Sequence, residues 1–99
     1  MNEIEKQVNT NRVILTGTLS MIEPGMTSQG FPYANIVVES NGLKYTDKIP
    51  CTAYGGTASR LVDQVSVGDV ITVNGRVRVK SISEKSYISI VVTSVKKTI

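Results

Sequence analysis

The sequence predicts an all-β protein, a small five-stranded barrel with one short helix between the third and fourth strands. Apolar and polar residues alternate with a period of two in five segments, which is the period of a half-buried strand. Stretches rich in Gly, Pro, Asn or Ser separate most of these segments and indicate turns. Residues 57–65 differ, because their apolar side chains recur every three or four positions, as in a helix.

The first three predicted strands occupy the N-terminal half. Residues 12–19 (RVILTGTL) alternate and predict the first strand, and Pro and Gly in residues 23–32 predict a loop after it. Residues 33–39 (YANIVVE) predict the second strand. The pair Asn41-Gly42 indicates a tight turn into the third strand, which we place at residues 47–54 (DKIPCTAY).

The second half of the chain begins with the helix. Thr57 is a suitable N-terminal cap for a helix over residues 57–65. A long fourth strand then follows at 69–80, a polar hairpin loop at 81–86 and a last strand at 87–95. This order of elements is that of the OB-fold, a Greek-key barrel that typically binds oligonucleotides or oligosaccharides. An SH3-like barrel normally lacks the helix.

Size and composition indicate one folded domain. The 99 residues suffice for one hydrophobic core, and 40% of them are hydrophobic. No apolar run approaches the roughly 20 residues of a membrane span, and the polar N-terminus does not resemble a secretory signal. A lone Cys51 cannot form an internal disulfide, as expected in a reducing cytosol. We expect a flexible arm over residues 1–10 and a single domain over residues 11–99.

Positive charge is concentrated near the C-terminus. The fourth strand carries Arg76, Arg78 and Lys80 on one face and apolar residues on the other. From Arg76 onward there are six cations and one anion, whereas the net charge of the whole chain is only +3. Such asymmetry favours an anion-binding surface. The alternative is a solubilising rim of lysines, or weak salt bridges to Glu39 or Asp47.

The motifs resemble those of one family. The chain is similar to the bacterial single-stranded DNA-binding proteins and to their short relative, primosomal replication protein N. The similar segments are 11–17 (NRVILTG), 30–38 (GFPYANIVV), Tyr54-Gly55, 67–78 and 87–92. The resemblance implies an OB-fold that binds single-stranded DNA largely independently of sequence, in DNA replication, recombination or primosome assembly. It also implies a homo-oligomer, dimer or tetramer, in the cytoplasm of a bacterium or encoded by a phage or plasmid.

The sequence also differs from the family pattern in several respects. The chain has no Trp, and Lys48 and Ile82 occupy positions where the family usually carries a stacking ring. The acidic C-terminal tip with which the family recruits replication proteins is missing from this sequence. We therefore expect binding weaker than is typical of the family, without that mode of recruitment.

The candidate nucleic-acid-binding residues are cations for phosphates and rings for bases. The cations are Arg76, Arg78, Lys80, Lys85, Lys48 and Arg12. The rings are Tyr54, Tyr33 and Phe31. Tyr33 and Phe31 have the alternative role of closing the barrel, and Arg12 that of a subunit contact.

The sequence argues against an enzyme. It contains no His and one Cys, which excludes a histidine base and a cysteine zinc cluster, and no glycine-rich phosphate loop is present. We expect no catalytic residues, cofactor or metal. Two alternatives remain open: a protein–protein adaptor in a replication or primosome complex, and a single-stranded RNA-binding domain.

Overall fold

Five strands close into a barrel, and one helix lies between the third and fourth. The structure is a computed structural model that describes residues 9–98. The elements are β1 (Val13–Met26), β2 (Pro32–Asn41), β3 (Thr46–Tyr54), α1 (Gly55–Gln64), β4 (Val70–Ile82) and β5 (Lys85–Lys97). The strand order around the barrel is β1-β2-β3-β5-β4. The five-stranded OB-fold barrel predicted from the sequence is confirmed.

The long first strand makes closure possible. Its first part pairs with β4 from Val13 to Thr18, and its second part pairs with β2 from Thr18 to Met26. Gly17 lies where these two ladders meet, and a Cβ there would collide with the main-chain carbonyl of Glu39. The barrel is closed by a short parallel contact in which Cys51 and Thr52 of β3 pair with β5.

The core follows the alternation of the strands. Inward-facing side chains from all five strands meet inside the barrel, and α1 covers one end with Ala58 and Leu61. The largest of the fully buried side chains are Leu19, Ile36, Leu61, Ile71, Val38 and Val73. Within residues 9–98 no polar or charged residue is buried. Polar groups therefore lie on the outer face, where they are available to a ligand.

The first strand is longer than predicted. The sequence indicates a loop at residues 23–32, but β1 continues to Met26 and only residues 27–31 connect it to β2. Beyond Leu19, whose main chain still forms hydrogen bonds with Gly68 and Asp69, β1 pairs with β2 only. Pro24 is tolerated there because an edge has fewer ladder hydrogen bonds to lose. Of the predicted N-terminal arm, residues 1–8 lie outside the described residues.

The start of the helix also differs from the prediction. The chain enters α1 directly after β3, with Gly55 at a φ of +62°, and the capping position is Tyr54 rather than Thr57. Glycine adopts this left-handed backbone at little cost, which allows the abrupt change from strand to helix. The ten-residue α1 is too short to cross a membrane, and no other helix occurs among residues 9–98.

The two hairpin turns have lengths other than those predicted. The β4–β5 turn is only Ser83-Glu84, with φ values of 49° and 67°, so the predicted loop over 81–86 is wrong and Lys85 belongs to β5. Two successive positive φ values match the right-handed twist of a tight hairpin. The predicted turn at Asn41-Gly42 is instead a four-residue connection between Asn41 and Thr46, and the Asn41 side chain accepts a hydrogen bond from Thr46 across the strand ends.

Candidate nucleic-acid interface

The cations of β4 lie in one row on the outer face of the barrel. Arg76, Arg78 and Lys80 are all exposed, and they face β5 opposite Val91, Ser89 and Tyr87. The sole ion pair among residues 9–98 joins Lys97 Nζ to Asp69 Oδ2 at 3.7 Å. The alternative of salt bridges to Glu39 or Asp47 is therefore not what the structure shows. A row of uncompensated cations suits a polyanion that follows the strand.

Two further lysines extend this positive charge. Lys85 is exposed at the start of β5, where it pairs with Ile82 on the face that carries the β4 cations. Lys48 is exposed on β3 and pairs in register with Glu39 of β2. Lys48 and Glu39 form no ion pair in the described structure, so the charge of Lys48 is also unpaired.

A groove holds the tyrosine at the end of β3. Tyr54 is 42% exposed, and its hydroxyl accepts a hydrogen bond from Lys80 Nζ at 3.3 Å. Tyr33 lies directly opposite on β2. The groove has a volume of about 280 Å³ and is lined by Thr27, Tyr33, Asn35, Thr52, Tyr54 and Lys80. It thus places an exposed aromatic ring beside a cation, a combination that can bind a base and a phosphate.

The register joins this groove to the basic strand. Arg76 faces Val91 of β5, Val91 faces Thr52 of β3, and Thr52 faces Asn35 of β2. Residues directly opposite each other in a ladder share a face of the sheet. The cations and the groove therefore belong to one continuous outer surface, which we call the basic surface: Arg76, Arg78, Lys80, Lys85 and the groove around Tyr54.

The other two candidate rings have different surroundings. The Tyr33 ring lies against Gly25 of β1, where a Cβ would be only 2.5 Å from the ring, and it is half-buried. Phe31 is 61% exposed in the turn before β2, where its N–H donates to Thr27 Oγ1 at 3.0 Å. Phe31 therefore does not close the barrel and stands beside the rim of the groove.

Arg12 lies at a second polar concavity. It is exposed just before β1, and it lines a space of about 390 Å³ together with Arg76 and Asn74. The preceding Asn11 is held to the main chain of Val77 in β4, which fixes the chain at this point. The structure thus places Arg12 near one end of the basic surface, away from the groove around Tyr54.

Sequence reasoning missed four residues at this surface. Thr27, Asn35 and Thr52 line the groove, and Tyr87 is 51% exposed opposite Lys80. Strand parity is a signal that points to two of them, because Asn35 alternates in phase with Tyr33, and Thr52 in phase with Tyr54. Their meeting across strands depends on the register, which parity alone does not supply.

An apolar groove lies on the other side of Tyr33. It has a volume of about 530 Å³ and is formed between α1 and the ends of β1 and β2, with Pro24, Met26, Pro32 and Val62 in its wall. Its charged lining residue is Asp63, which disfavours a phosphate. This groove therefore does not continue the basic surface.

Cys51 is buried in the core, and this burial raises the pKa of its thiol to about 11, so it is not a nucleophile at neutral pH. Residues 9–98 contain no group of three side chains among His, Cys, Asp and Glu that would hold a metal ion. What the exposed surface offers is cations, rings and hydrogen-bonding groups for binding.

Comparison with known proteins identifies the family. The model of the single-strand binding protein family matches residues 10–97, and the chain therefore belongs to that family. The structure is similar to the crystal structure of the SSB domain of a protein from Synechococcus sp., with a TM-score of 0.74 and 23% sequence identity. The match covers 91% of this chain and 98% of that one, and it shows a shared fold. No curated protein matches the chain.

Proposed function

We propose that the protein binds single-stranded DNA along the basic surface, largely independently of sequence. The observation that carries this proposal is the alignment of the unpaired Arg76, Arg78 and Lys80 with an exposed Tyr54, to which Lys80 is hydrogen-bonded. Membership of the single-strand binding protein family supports the same function. The protein acts as a binding protein rather than as an enzyme.

Each group has a separate part in binding. Arg76, Arg78, Lys80 and Lys85 hold phosphates along the β4–β5 hairpin, and each contact releases counterions from the strand. Tyr54 stacks on a base, which contributes about 1–3 kcal/mol and tolerates any base. The binding site is extended at the edges of the basic surface by Lys48, Arg12, Tyr33 and Phe31. Affinity therefore depends on charge more than on base identity.

We also propose that the protein is a homo-oligomer, a dimer or tetramer, that acts in the cytoplasm in replication, recombination or primosome assembly. One OB domain covers only about 4–16 nucleotides, and joined domains lengthen the track. Ile14, which is 61% exposed on the outer face of β1, is apolar surface that a second copy would cover. Light scattering of the wild type and of Ile14→Asp tests this, with a smaller mass expected for the variant.

The main experiment measures fluorescence anisotropy with labelled oligo-dT, with duplex DNA and with oligo-rU of equal length, over a series of salt concentrations. The proposal expects preferential binding of oligo-dT that weakens as salt increases. Equal or tighter binding of oligo-rU would favour the alternative of an RNA-binding domain. Absence of binding at low salt would contradict the proposal.

The apolar groove beside α1 favours one alternative, an adaptor that binds a replication or primosome protein. Its wall of Pro24, Met26, Pro32 and Val62 suits an apolar segment of a partner better than nucleic acid. Charge reversal at Arg76 and Arg78 separates the two functions. An adaptor keeps its partner after this change, whereas binding of single-stranded DNA is lost.

A further inference from the structure

Arg12 and Arg76 are neighbours across the β1–β4 ladder. The main-chain pairing of these antiparallel strands ends at Val13 and Gly75. Arg12 precedes the first of these residues and Arg76 follows the second, so the two arginines lie directly opposite each other. The Asn11 side chain, which is bound to the next residue of β4, keeps the chain in this register. Two like charges opposite each other on one face are unfavourable by themselves.

No carboxylate neutralises this pair of charges within residues 9–98. Both arginines are exposed, and the ion pair in this range joins Lys97 to Asp69. The concavity of about 390 Å³ that both arginines line has no Asp or Glu in its wall. Its other side chains are amides and a hydroxyl, from Asn9, Asn11, Asn74 and Thr93. A polar concavity with two cations and no anion is complementary to an anionic ligand.

Asn11 adds a donor of fixed orientation to this concavity. Its Oδ1 and one N–H of its Nδ2 are bound to the main chain of Val77, which prevents the amide from turning over. The amide nitrogen carries a second N–H, which forms no hydrogen bond with a residue in the range 9–98. Asn11 can therefore donate to a ligand while it continues to hold β4.

The number of charges distinguishes between two kinds of phosphate. A phosphate within a nucleic-acid strand carries one negative charge and has two oxygens that are not bonded to carbon. A phosphate at the end of a strand carries about 1.5 to 2 negative charges at pH 7 and has three such oxygens. The terminal phosphate is thus the better match for two guanidinium groups, each of which can donate two parallel hydrogen bonds to phosphate oxygens.

We propose that Arg12 and Arg76 together bind the terminal phosphate of a DNA strand, with the free N–H of Asn11 as a further donor. The inference rests on the proposed function, because Arg76 belongs to the basic surface along which the strand lies. The concavity is at the end of that surface away from the groove around Tyr54. Because the site is open to solvent, the expected preference for a strand with a terminal phosphate is about threefold to tenfold.

An oligo-dT of about eight nucleotides tests this proposal, because the end of so short a strand lies close to the site whenever the strand is bound. Anisotropy compares a 5′-phosphorylated and a 3′-phosphorylated strand, each labelled at its other end, with unphosphorylated strands that carry the same labels. The wild type is expected to bind one of the phosphorylated strands about threefold to tenfold more tightly. Arg12→Gln is expected to lower this ratio to about one.

Two variants control for the loss of a positive charge. Arg60→Ala removes the same charge from α1, outside the concavity, and is expected to keep the wild-type ratio. Arg78→Ala is expected to weaken the binding of phosphorylated and unphosphorylated strands alike, which also leaves the ratio unchanged. Circular dichroism confirms that each variant is folded.

The pH dependence of the ratio gives a second readout. The second pKa of a phosphate monoester is about 6, so the terminal phosphate loses one charge between about pH 7.5 and about pH 5. The charged groups that line the site are Arg12 and Arg76, which stay protonated, and β5 contributes the uncharged Thr93. The preference of the wild type is therefore expected to decrease at the lower pH.

The outcomes separate the inference from the proposed function. Equal binding of phosphorylated and unphosphorylated strands by the wild type overturns the inference and leaves the proposed function intact. So does a preference that persists in Arg12→Gln, that is lost equally in Arg60→Ala, or that is the same at both pH values. If the wild type binds none of the strands, the proposed function fails, and the inference fails with it.

Discussion

Asn11 holds the main chain of Val77 with both ends of its side-chain amide. Its Nδ2 donates to the Val77 carbonyl at 2.8 Å, and its Oδ1 accepts from the Val77 N–H at 2.9 Å. The backbone ladder between β1 and β4 reaches only as far as Val13 and Gly75 on this side. The side chain of Asn11 therefore continues the ladder beyond the strand and fixes the start of the chain near Arg12 and Arg76.

This bidentate contact predicts a loss of stability in Asn11→Ala. Removal of two hydrogen bonds is expected to lower the free energy of unfolding by about 1–3 kcal/mol. Urea denaturation measures the change. The exposed neighbour Asn9 provides the control, and Asn9→Ala is expected to stay within about 0.5 kcal/mol of wild type. Equal stability of the two variants would contradict this account.

Replacement of Tyr54 is expected to weaken binding of single-stranded DNA. Tyr54→Ala removes the stacking ring and should reduce affinity by about 1–3 kcal/mol. Tyr54→Phe keeps the ring but loses the hydrogen bond from Lys80, so its affinity should lie close to wild type. Tyr45→Ala is the control, because Tyr45 is 76% exposed in the β2–β3 connection and does not line the groove. Equal loss in Tyr45→Ala and Tyr54→Ala would argue against a specific stacking site.

The salt dependence of binding counts the phosphates that are held. Arg76→Ala and Arg78→Ala are each expected to lower the slope of log affinity against log salt concentration by about 0.7, the value for one phosphate of a single strand. Arg60→Ala removes the same charge from the exposed face of α1, and it should leave the slope unchanged. If all three variants change the slope equally, the interaction is with the overall charge of the protein and not with the β4 row.

The buried thiol predicts a loss of stability at alkaline pH. Burial raises the pKa of Cys51 from 9.0 to about 11, so the folded state disfavours the thiolate. The stability linked to this group is fully present below pH 9 and is lost as pH rises toward 11, because only the unfolded chain ionises there. The loss amounts to about 2–3 kcal/mol. Denaturation curves of wild type and Cys51→Ala should therefore converge or cross between these pH values, whereas parallel curves would contradict the prediction.

Two glycines should respond to alanine in opposite ways. Gly17→Ala places a Cβ against the Glu39 carbonyl where the β1–β2 and β1–β4 ladders meet, and it should cost about 1–3 kcal/mol or more. Gly56→Ala lies in α1, where the nearest contact is the flexible end of Arg60 at 3.7 Å. Alanine favours the helix there by up to about 1 kcal/mol. Thermal denaturation compares the two, and a stable Gly17→Ala would show that the barrel can shift at this point.

The spacing of apolar residues along the chain, alternating in the strands and every three or four positions in the helix, was sufficient to predict the order of the elements and the basic face of β4. It also placed Tyr54 on the outer face, because strand parity follows directly from the sequence. The turns were less predictable. Ser83 and Glu84 adopt positive φ values that the tight hairpin imposes, although neither is glycine. Helix α1 begins without a side-chain cap, so Thr57 was a misleading signal.

The groove was not predictable in the same way. Asn35 and Thr52 are 17 positions apart and meet only because the β2–β3 register places them opposite each other. Lys80 and Tyr54 are 26 positions apart and meet through the fold of the whole barrel. Such contacts depend on non-local pairing, which a pattern within one segment does not contain.

The end of the β4–β5 hairpin around its turn lies outside the hydrophobic core. Every residue from Lys80 to Ile88 is exposed, and none of them belongs to the hydrophobic cluster inside the barrel. Substitutions on such a surface usually change stability by less than about 0.5 kcal/mol. Substitutions that change the charge of this part of the hairpin are therefore expected to leave the stability of the barrel nearly unchanged.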